Sequence, residues 1–149
     1  MIENLTIRAY KPADKDNVLA ILKLNVPEYF AESEIEDLED YLEHKIEKYF
    51  VAAIEDLIIG AGGINFDDKG KTAKISWDFI NPKFQGKGVG QSLLKHRIDL
   101  LKSMADVKTI AVRTSQLAYK FYEKNGFTLN KIEKDYWAKG FDLYSMTYG

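Results

Sequence analysis

The stretch NPKFQGKGVGQSLLKHR, residues 81–97, decides how this chain folds. It follows an apolar strand predicted to end at Ile80, and it leads into a helix whose apolar residues recur at helical spacing. Three glycines, Gly86, Gly88 and Gly90, stand where the helix begins. Glycine costs a helix about 0.5–1 kcal/mol per residue relative to alanine. Three of them at a helix start therefore indicate a backbone that something else must approach closely.

A helix start is a natural site for an anion. Its leading amides have no partner within the helix, and the helix dipole places partial positive charge there. Glycines let a phosphate reach these amides, and Lys87 would add a charge. The alternative is a turn from strand to helix that the glycines merely ease. The loop is no Walker motif, and its GxGxG spacing differs from the dinucleotide pattern GxGxxG.

Composition narrows the possible functions. The 149 residues are 46% hydrophobic and 30% charged, with a net charge of −2, which predicts one globular domain over residues 1–149 and no general attraction to nucleic acid. The absence of cysteine excludes disulfides, thiolate metal sites and a cysteine nucleophile. With only two histidines, we expect no metal. No apolar run is long enough to span a membrane, so we expect a cytoplasmic protein with no membrane partner.

The patterns along the chain predict the element order β-α-α-β-β-β-α-β-α-β-β. Ser33 and Glu36 have the spacing of a capping box at the second helix. The fourth helix is predicted over residues 116–125 and is closed by Gly126. This order indicates a mixed sheet with helices on its faces, in the α/β (α+β) class.

Two motifs resemble the GNAT superfamily of acetyl-CoA-dependent N-acetyltransferases. Residues 85–90, QGKGVG, match its Q/R-x-x-G-x-G/A signature, and residues 118–127, AYKFYEKNGF, are similar to its second hallmark, a helix and turn with the pattern FYxxxGF. The resemblance implies a central mixed, mostly antiparallel sheet of about seven strands, splayed between the fourth and fifth strands, with four helices.

The resemblance also implies acetyl-CoA as the co-substrate. The pantetheine arm would lie along the edge of the fourth strand, and the pyrophosphate would contact amides of the glycine loop. Carried over by position, the cofactor-binding residues are Phe79, Ile80, Gln85, Gly86, Lys87, Gly88, Val89, Gly90, Gln91, Ser115 and Tyr122.

The same resemblance implies catalytic roles. Tyr122 is in the position of a general acid that protonates the departing thiolate, although it could simply pack in an apolar stripe. The base is open: a glutamate often found on the fifth strand of relatives is replaced here by Ala111. Asp78 is the candidate that we name, with Glu28 or a water relay as alternatives.

The acceptor side has weaker signals. Residues 28–47 are rich in Asp and Glu; they form either a rim that favours cationic amines or, as is more common, a solvated face. Four aromatic residues fall in predicted loops, where they would contact substrate, a second subunit or the underlying core: Tyr29, Phe30, Tyr136 and Trp137. A homodimer is therefore possible.

Three functions follow. The first is an N-acetyltransferase that acts on a primary amine of a small molecule by direct attack in a ternary complex. The second keeps the chemistry but acts on a protein N-terminus or lysine; residues 135–143 loosely resemble a tyrosine-rich loop of ribosomal-protein alanine acetyltransferases, while Ala111 speaks against it. The third is a non-catalytic acyl-CoA-binding regulatory module, which the presence of Tyr122 disfavours.

Overall fold

The computed structural model describes residues 4–149, and its centre is one seven-stranded sheet in the order β1-β2-β3-β4-β5-β7-β6. Neighbouring strands are antiparallel, except that β4 and β5 are parallel. The strands are β1 (Leu5–Ala9), β2 (Lys48–Ile54), β3 (Leu57–Asp67), β4 (Thr72–Ile80), β5 (Thr109–Thr114), β6 (Phe127–Ala138) and β7 (Phe141–Tyr148).

Four α-helices cover the two faces of the sheet. Helices α1 (Lys15–Leu24) and α2 (Glu34–His44) pack on one face through a cluster that includes Leu22, Leu38 and Val51. Helices α3 (Val89–Lys102) and α4 (Tyr119–Lys124) lie on the other, where Leu94 and Tyr122 pack with Met146. The predicted element order and fold class are confirmed.

The sheet opens between β4 and β5. These strands pair only from Thr72 and Thr109 to Ile75 and Val112, so β4 continues over residues 76–80 with no hydrogen-bonded strand on its β5 side. A bulge lies in the same segment, because Ala61 of β3 pairs with Phe79 but Gly63 pairs with Ser76. The predicted splay thus begins after Ile75.

The bulge includes a residue with unusual backbone geometry. Trp77 has φ of 49°, in the left-handed region that large side chains rarely adopt. Its ring packs with the α1–α2 cluster, while the next residue, Asp78, contacts Arg97 of α3 on the opposite face. The bulge therefore directs two consecutive large side chains to opposite faces at the mouth of the opening.

Two local predictions need correction. Ser33 makes no capping hydrogen bond, because its backbone is already helical (φ −61°, ψ −20°); instead the carboxylate of Glu34 accepts the amide proton of Ala31 at 2.8 Å. Helix α4 begins at Tyr119 rather than near residue 116, because the preceding residues form a turn in which the Ser115 carbonyl accepts from the Ala118 amide at 3.1 Å. Gly126 closes α4 as predicted, with φ of 97°.

The helices of residues 4–149 are too short or too polar for any of them to cross a membrane.

Gly62 tests the packing across the bulge. A Cβ atom at this position would lie 2.5 Å from Oδ1 of Asp78 and 2.7 Å from Nη1 of Arg97. We expect Gly62→Ala to lower the free energy of unfolding by about 1–3 kcal/mol, the usual cost of overpacking, as measured by urea denaturation. The matched change Gly90→Ala, whose Cβ would meet nothing closer than 3.4 Å, should leave stability unchanged or raise it. Equal effects of the two changes would contradict this account.

Candidate functional site

A cleft of about 900 Å³ occupies the opening between β4 and β5. It passes through the splay, so both faces of the sheet line it. We call the part next to the 85–91 loop and α4 the glycine-loop lobe. The part on the α1–α2 face is called the α2-side lobe; it is lined by Glu34, Tyr41, Lys45, Lys74, Trp77 and Arg113.

Most of the residues predicted to bind the cofactor meet in this cleft: Phe79, Ile80, Gln85, Gly86, Gly88, Gly90, Gln91, Ser115 and Tyr122. Two do not line it. The side chain of Val89 is buried in the core below α3, and Lys87 lies beside a separate depression with Ser92 and His96. A contribution of the Lys87 charge to the cradle therefore stays a prediction from the sequence.

The glycine loop has the backbone geometry that its sequence requires. Gly86 and Gly88 have φ of 75° and 85°, in the left-handed region that favours glycine. Gly88 is also the N-cap of α3, and its carbonyl accepts the amide proton of Ser92 at 3.0 Å. The first-turn amides of this 14-residue helix, from Val89 onward, are therefore left for a ligand or solvent.

Phe79 and Ile80 form the strand edge of the cleft. Their backbones pair with Ala61 and Gly60 on the β3 side, and the other edge faces the opening because β5 has already diverged. The side chains are used elsewhere, since Phe79 is buried in the α1–α2 cluster and Ile80 packs against the α3 cluster. An extended ligand could therefore hydrogen-bond to this edge as an added strand.

Asp78 and Tyr122, the two predicted catalytic residues, are in direct contact. The Tyr122 hydroxyl donates to Oδ2 of Asp78 at 2.7 Å. The other carboxylate oxygen, Oδ1, accepts from Nη2 of Arg97 at 2.6 Å. Arg97 is fully buried, and its guanidinium also donates to the carbonyls of Leu93 and Gly63, each at 3.1 Å. Both oxygens of Asp78 are therefore hydrogen-bonded to protein.

This environment keeps Tyr122 protonated. Burial raises the pKa of its phenol well above the usual 10.0, and the negative charge of Asp78 raises that pKa further. The ring contacts Phe121 and Phe127 edge-on, with centroids 5.1 Å and 5.6 Å away. Tyr122 therefore both packs in the core and presents a neutral hydroxyl, so the two interpretations of its sequence position are compatible.

The α2-side lobe holds little of the acidic stretch. Of the acidic residues in 28–47, only Glu34 lines the cleft; it is buried, and that burial raises the pKa of its carboxyl. Others are paired elsewhere: Glu43 with Lys15, and Asp40 with His44 and Lys45. These contacts favour the solvated-face interpretation over an acidic rim.

Arg97 is the functional residue that the sequence patterns did not identify. A signal was available: it lies four residues from both Leu93 and Leu101, in the middle of the apolar stripe of α3. A charged residue in that position requires a buried partner. The small residues GAGG at 60–63 are the complementary signal, because they leave room on β3 for a guanidinium.

The profile of the acetyltransferase (GNAT) family matches residues 17–127, and this chain belongs to that family. It is therefore an acyltransferase. No protein with a curated description matches the sequence.

Many solved structures share the fold, and three of them serve as examples. Ard1 from Thermoplasma volcanium superposes with a TM-score of 0.77 at 21% identity, covering 97% of this chain and 96% of that one. Naa50 from Arabidopsis thaliana, solved with the bisubstrate analogue CoA-Ac-MVNAL, gives 0.75 at 17%, covering 98% and 99%. Spermidine N-acetyltransferase from Vibrio cholerae, in complex with CoA and spermine, gives 0.74 at 20%, covering 98% and 95%.

The Arg97–Asp78 pair predicts a strong and non-additive effect on stability. Arg97→Met leaves the Asp78 carboxylate, whose side chain is only 12% exposed, without its cation. We expect a loss of about 3–5 kcal/mol in the free energy of unfolding, as for other broken buried pairs. Adding Asp78→Asn should recover part of that loss, because the unpaired charge is then removed.

The control for this pair is on the same helix. Lys95→Met breaks an exposed ion pair with Asp99, also 2.6 Å long, and should cost about 1 kcal/mol or less. Denaturation curves of the wild type, of the single variants at 78, 95 and 97, and of the Arg97→Met/Asp78→Asn double variant give the comparison. Strict additivity of the changes at 97 and 78, or equal costs at 95 and 97, would show that the buried pair is not a coupled unit.

Proposed function

We propose that the protein transfers the acetyl group of acetyl-CoA to a primary amine of a small molecule, by direct attack in a ternary complex. The observation that carries this proposal is the convergence of three features in one cleft: the start of α3, the free edge of β4 and the hydroxyl of Tyr122. They suit, in order, a pyrophosphate, an extended pantetheine arm and a departing thiolate.

In this proposal the chemistry needs no covalent enzyme intermediate. The amine nitrogen attacks the thioester carbonyl carbon, the C–S bond breaks, and the acetyl group stays bonded to the nitrogen. The thiolate takes a proton from the Tyr122 hydroxyl, which in doing so gives up its hydrogen bond to Asp78. The proton released by the amine restores the phenol through solvent. A backbone amide in the β4 edge near Phe79 would polarise the thioester carbonyl.

Asp78 has two possible roles. As a general base it would accept the proton of the amine, the role that its position in the sequence suggested. Its contacts with Arg97 and Tyr122 favour a positioning role, since both oxygens are already hydrogen-bonded. The kcat/KM–pH profile of Asp78→Asn separates the two roles, because loss of a base removes the acidic limb. A positioning role leaves that limb in place and lowers kcat.

A small amine is favoured over a peptide or protein by the aromatic lining of the α2-side lobe. Its wall is formed by the stacked rings of Phe30 and Trp77, with centroids 6.4 Å apart, and by Tyr41. Peptide acetylation is the second candidate. It is supported by the similarity of the fold to that of Naa50, which was solved with the bisubstrate analogue CoA-Ac-MVNAL. A cytoplasmic location and a homodimer stay predictions from the sequence.

Release of free thiol from acetyl-CoA tests the function. The protein is incubated with acetyl-CoA and panels of small amines and of peptides, and thiol release is followed against an amine-free control. Turnover with small amines supports the proposal, and turnover with peptides alone transfers the activity to the second candidate. A regulatory module would bind coenzyme A, as measured by calorimetry, without releasing thiol with any acceptor.

Gly88→Val tests the phosphate cradle. A branched side chain at the N-cap of α3 would block close approach of the pyrophosphate and should weaken acetyl-CoA binding at least tenfold by calorimetry. Because Gly88 has φ of 85°, valine also strains the backbone. Gly70→Val is the matched control, since Gly70 has φ of 87° in a loop where an added Cβ would meet no atom within 4 Å. Unchanged affinity in a folded Gly88→Val protein would refute the cradle.

Tyr122→Phe tests the proton donor. We expect kcat to fall by roughly 10–10⁴-fold, the range for loss of a general acid, with little change in acetyl-CoA affinity. The control is Tyr119→Phe, on the same helix, where the ring packs on Tyr144 with centroids 4.7 Å apart. Rates are measured well below the unfolding midpoint of each variant. Full activity of Tyr122→Phe would leave this residue a purely structural role.

A further inference from the structure

We propose that the acceptor carries a carboxylate beside its amine, as an amino acid does, and that Arg113 binds this carboxylate in the α2-side lobe. The inference rests on the proposed function and specifies the class of its substrate. Three observations carry it: the charge balance of the lobe, the way Arg113 is held, and the position of Arg113 relative to the opening of the sheet.

The lobe is lined by more cationic than anionic side chains. The cationic side chains in its lining are Lys45, Lys74 and Arg113. Apart from Asp78, which is paired with Arg97, Glu34 is the one acidic residue among residues 4–149 that lines the lobe. Both lysines already have exposed carboxylate partners, Asp40 at 3.1 Å and Asp67 at 3.0 Å. Within the described chain, Arg113 has no carboxylate within 4.0 Å of its nitrogens, so it is the cation left to pair with a ligand.

Two aromatic rings hold the Arg113 guanidinium in place. Its Nη2 donates to the hydroxyl of Tyr136 at 2.6 Å. Its central carbon lies 4.9 Å from the centroid of the Tyr136 ring and 5.6 Å from that of Trp137. A guanidinium has five N–H donors in a planar fork, so donors remain for a carboxylate after the contact with Tyr136. Stacking restricts the side chain in advance, which lowers the entropy lost when an anion binds.

The hairpin that carries these rings is itself anchored to the end of β5. Trp137 Nε1 donates to the carbonyl of Thr114 at 3.1 Å. Gln116 makes two further contacts: its Nε2 donates to the Gly140 carbonyl at 2.7 Å, and its Oε1 accepts from the Asp142 amide at 2.9 Å. The clamp around Arg113 is therefore fixed to the strand on which Arg113 lies.

Arg113 is placed to act on the acceptor rather than on the cofactor. It follows Val112, the last β5 residue paired with β4, so it lies at the point where the strands separate. Because Val112 packs on the α3–α4 face, alternation directs Arg113 to the α1–α2 face. The glycine loop and Tyr122 line the other lobe. A carboxylate bound at Arg113 would leave the neighbouring amine free to extend into the opening.

The experiment compares acceptors with and without a charged carboxylate, L-phenylalanine with L-phenylalaninamide and glycine with glycinamide, and rates are expressed per concentration of unprotonated amine because the two members of each pair differ in amine basicity. Thiol release is measured for the wild-type protein, for Arg113→Gln and Arg113→Lys, and for the control Lys139→Gln in the β6–β7 turn. We expect the wild type and the control to prefer each acid over its amide, by roughly 10–100-fold in kcat/KM, as for loss of one charge-assisted contact.

Arg113→Gln should abolish this preference by raising KM for the acids. Arg113→Lys should retain part of it, because lysine keeps the charge but not the fork. Equal use of acids and amides by the wild type, or a preference that survives Arg113→Gln, would overturn the inference while leaving acetyl transfer intact.

A second measurement does not depend on turnover. In the presence of coenzyme A, binding of N-acetyl-L-phenylalanine and of its amide is measured by calorimetry for the wild type and Arg113→Gln. Tighter binding of the acid to the wild type alone supports the carboxylate site even if the panel is not acetylated, an outcome that would count against the proposed function and not against this site. Equal binding of the acid and the amide to the wild type would rule out a carboxylate site at Arg113.

Discussion

The ion pair between Asp78 and Arg97 is the contact on which the shape of the cleft depends. It crosses from β4 to α3 at the bulge, where Trp77 takes its left-handed conformation and β4 has already parted from β5. A strand that has lost its neighbouring strand needs another contact to fix its position. Here a fully buried guanidinium supplies it, bonded at once to β3, to its own helix and to Asp78. The contacts of Arg97 thus stabilise the opening between β4 and β5.

The same contact links the support of the sheet to the chemistry. Asp78 holds Arg97 with one oxygen and accepts the Tyr122 hydroxyl with the other, so the proposed proton donor is aligned by the group that stabilises β4. A buried ion pair is a weak source of net stability compared with apolar packing. At this position the ion pair instead specifies one arrangement of β4, α3 and α4 around the opening.

The two lobes of the cleft divide recognition between backbone and side chains. In the glycine-loop lobe, the groups suited to a cofactor are amides of α3 and of the β4 edge, which need small residues and a free edge. In the α2-side lobe, the groups are side chains: the aromatic wall of Phe30 and Trp77, and the clamped guanidinium of Arg113. A motif marks the glycine-loop lobe because small residues at a helix start form a local sequence pattern. The α2-side lobe has no such motif, and its lining contains fewer acidic residues than the acidic stretch 28–47 suggested.

The sequence by itself determined the element order, because apolar periodicity and glycine spacing are local properties of the chain, while its resemblance to a known family implied the splayed sheet and the residues expected in the cofactor lobe. Tyr122 and Asp78 were also identified, but only the tertiary structure showed that they touch. Forty-four residues separate them, and no local pattern encodes such a contact. Arg97, Arg113 and the exclusion of most acidic residues from the cleft were likewise decided by packing across the sheet, where the partner of a charge depends on which strands and helices meet.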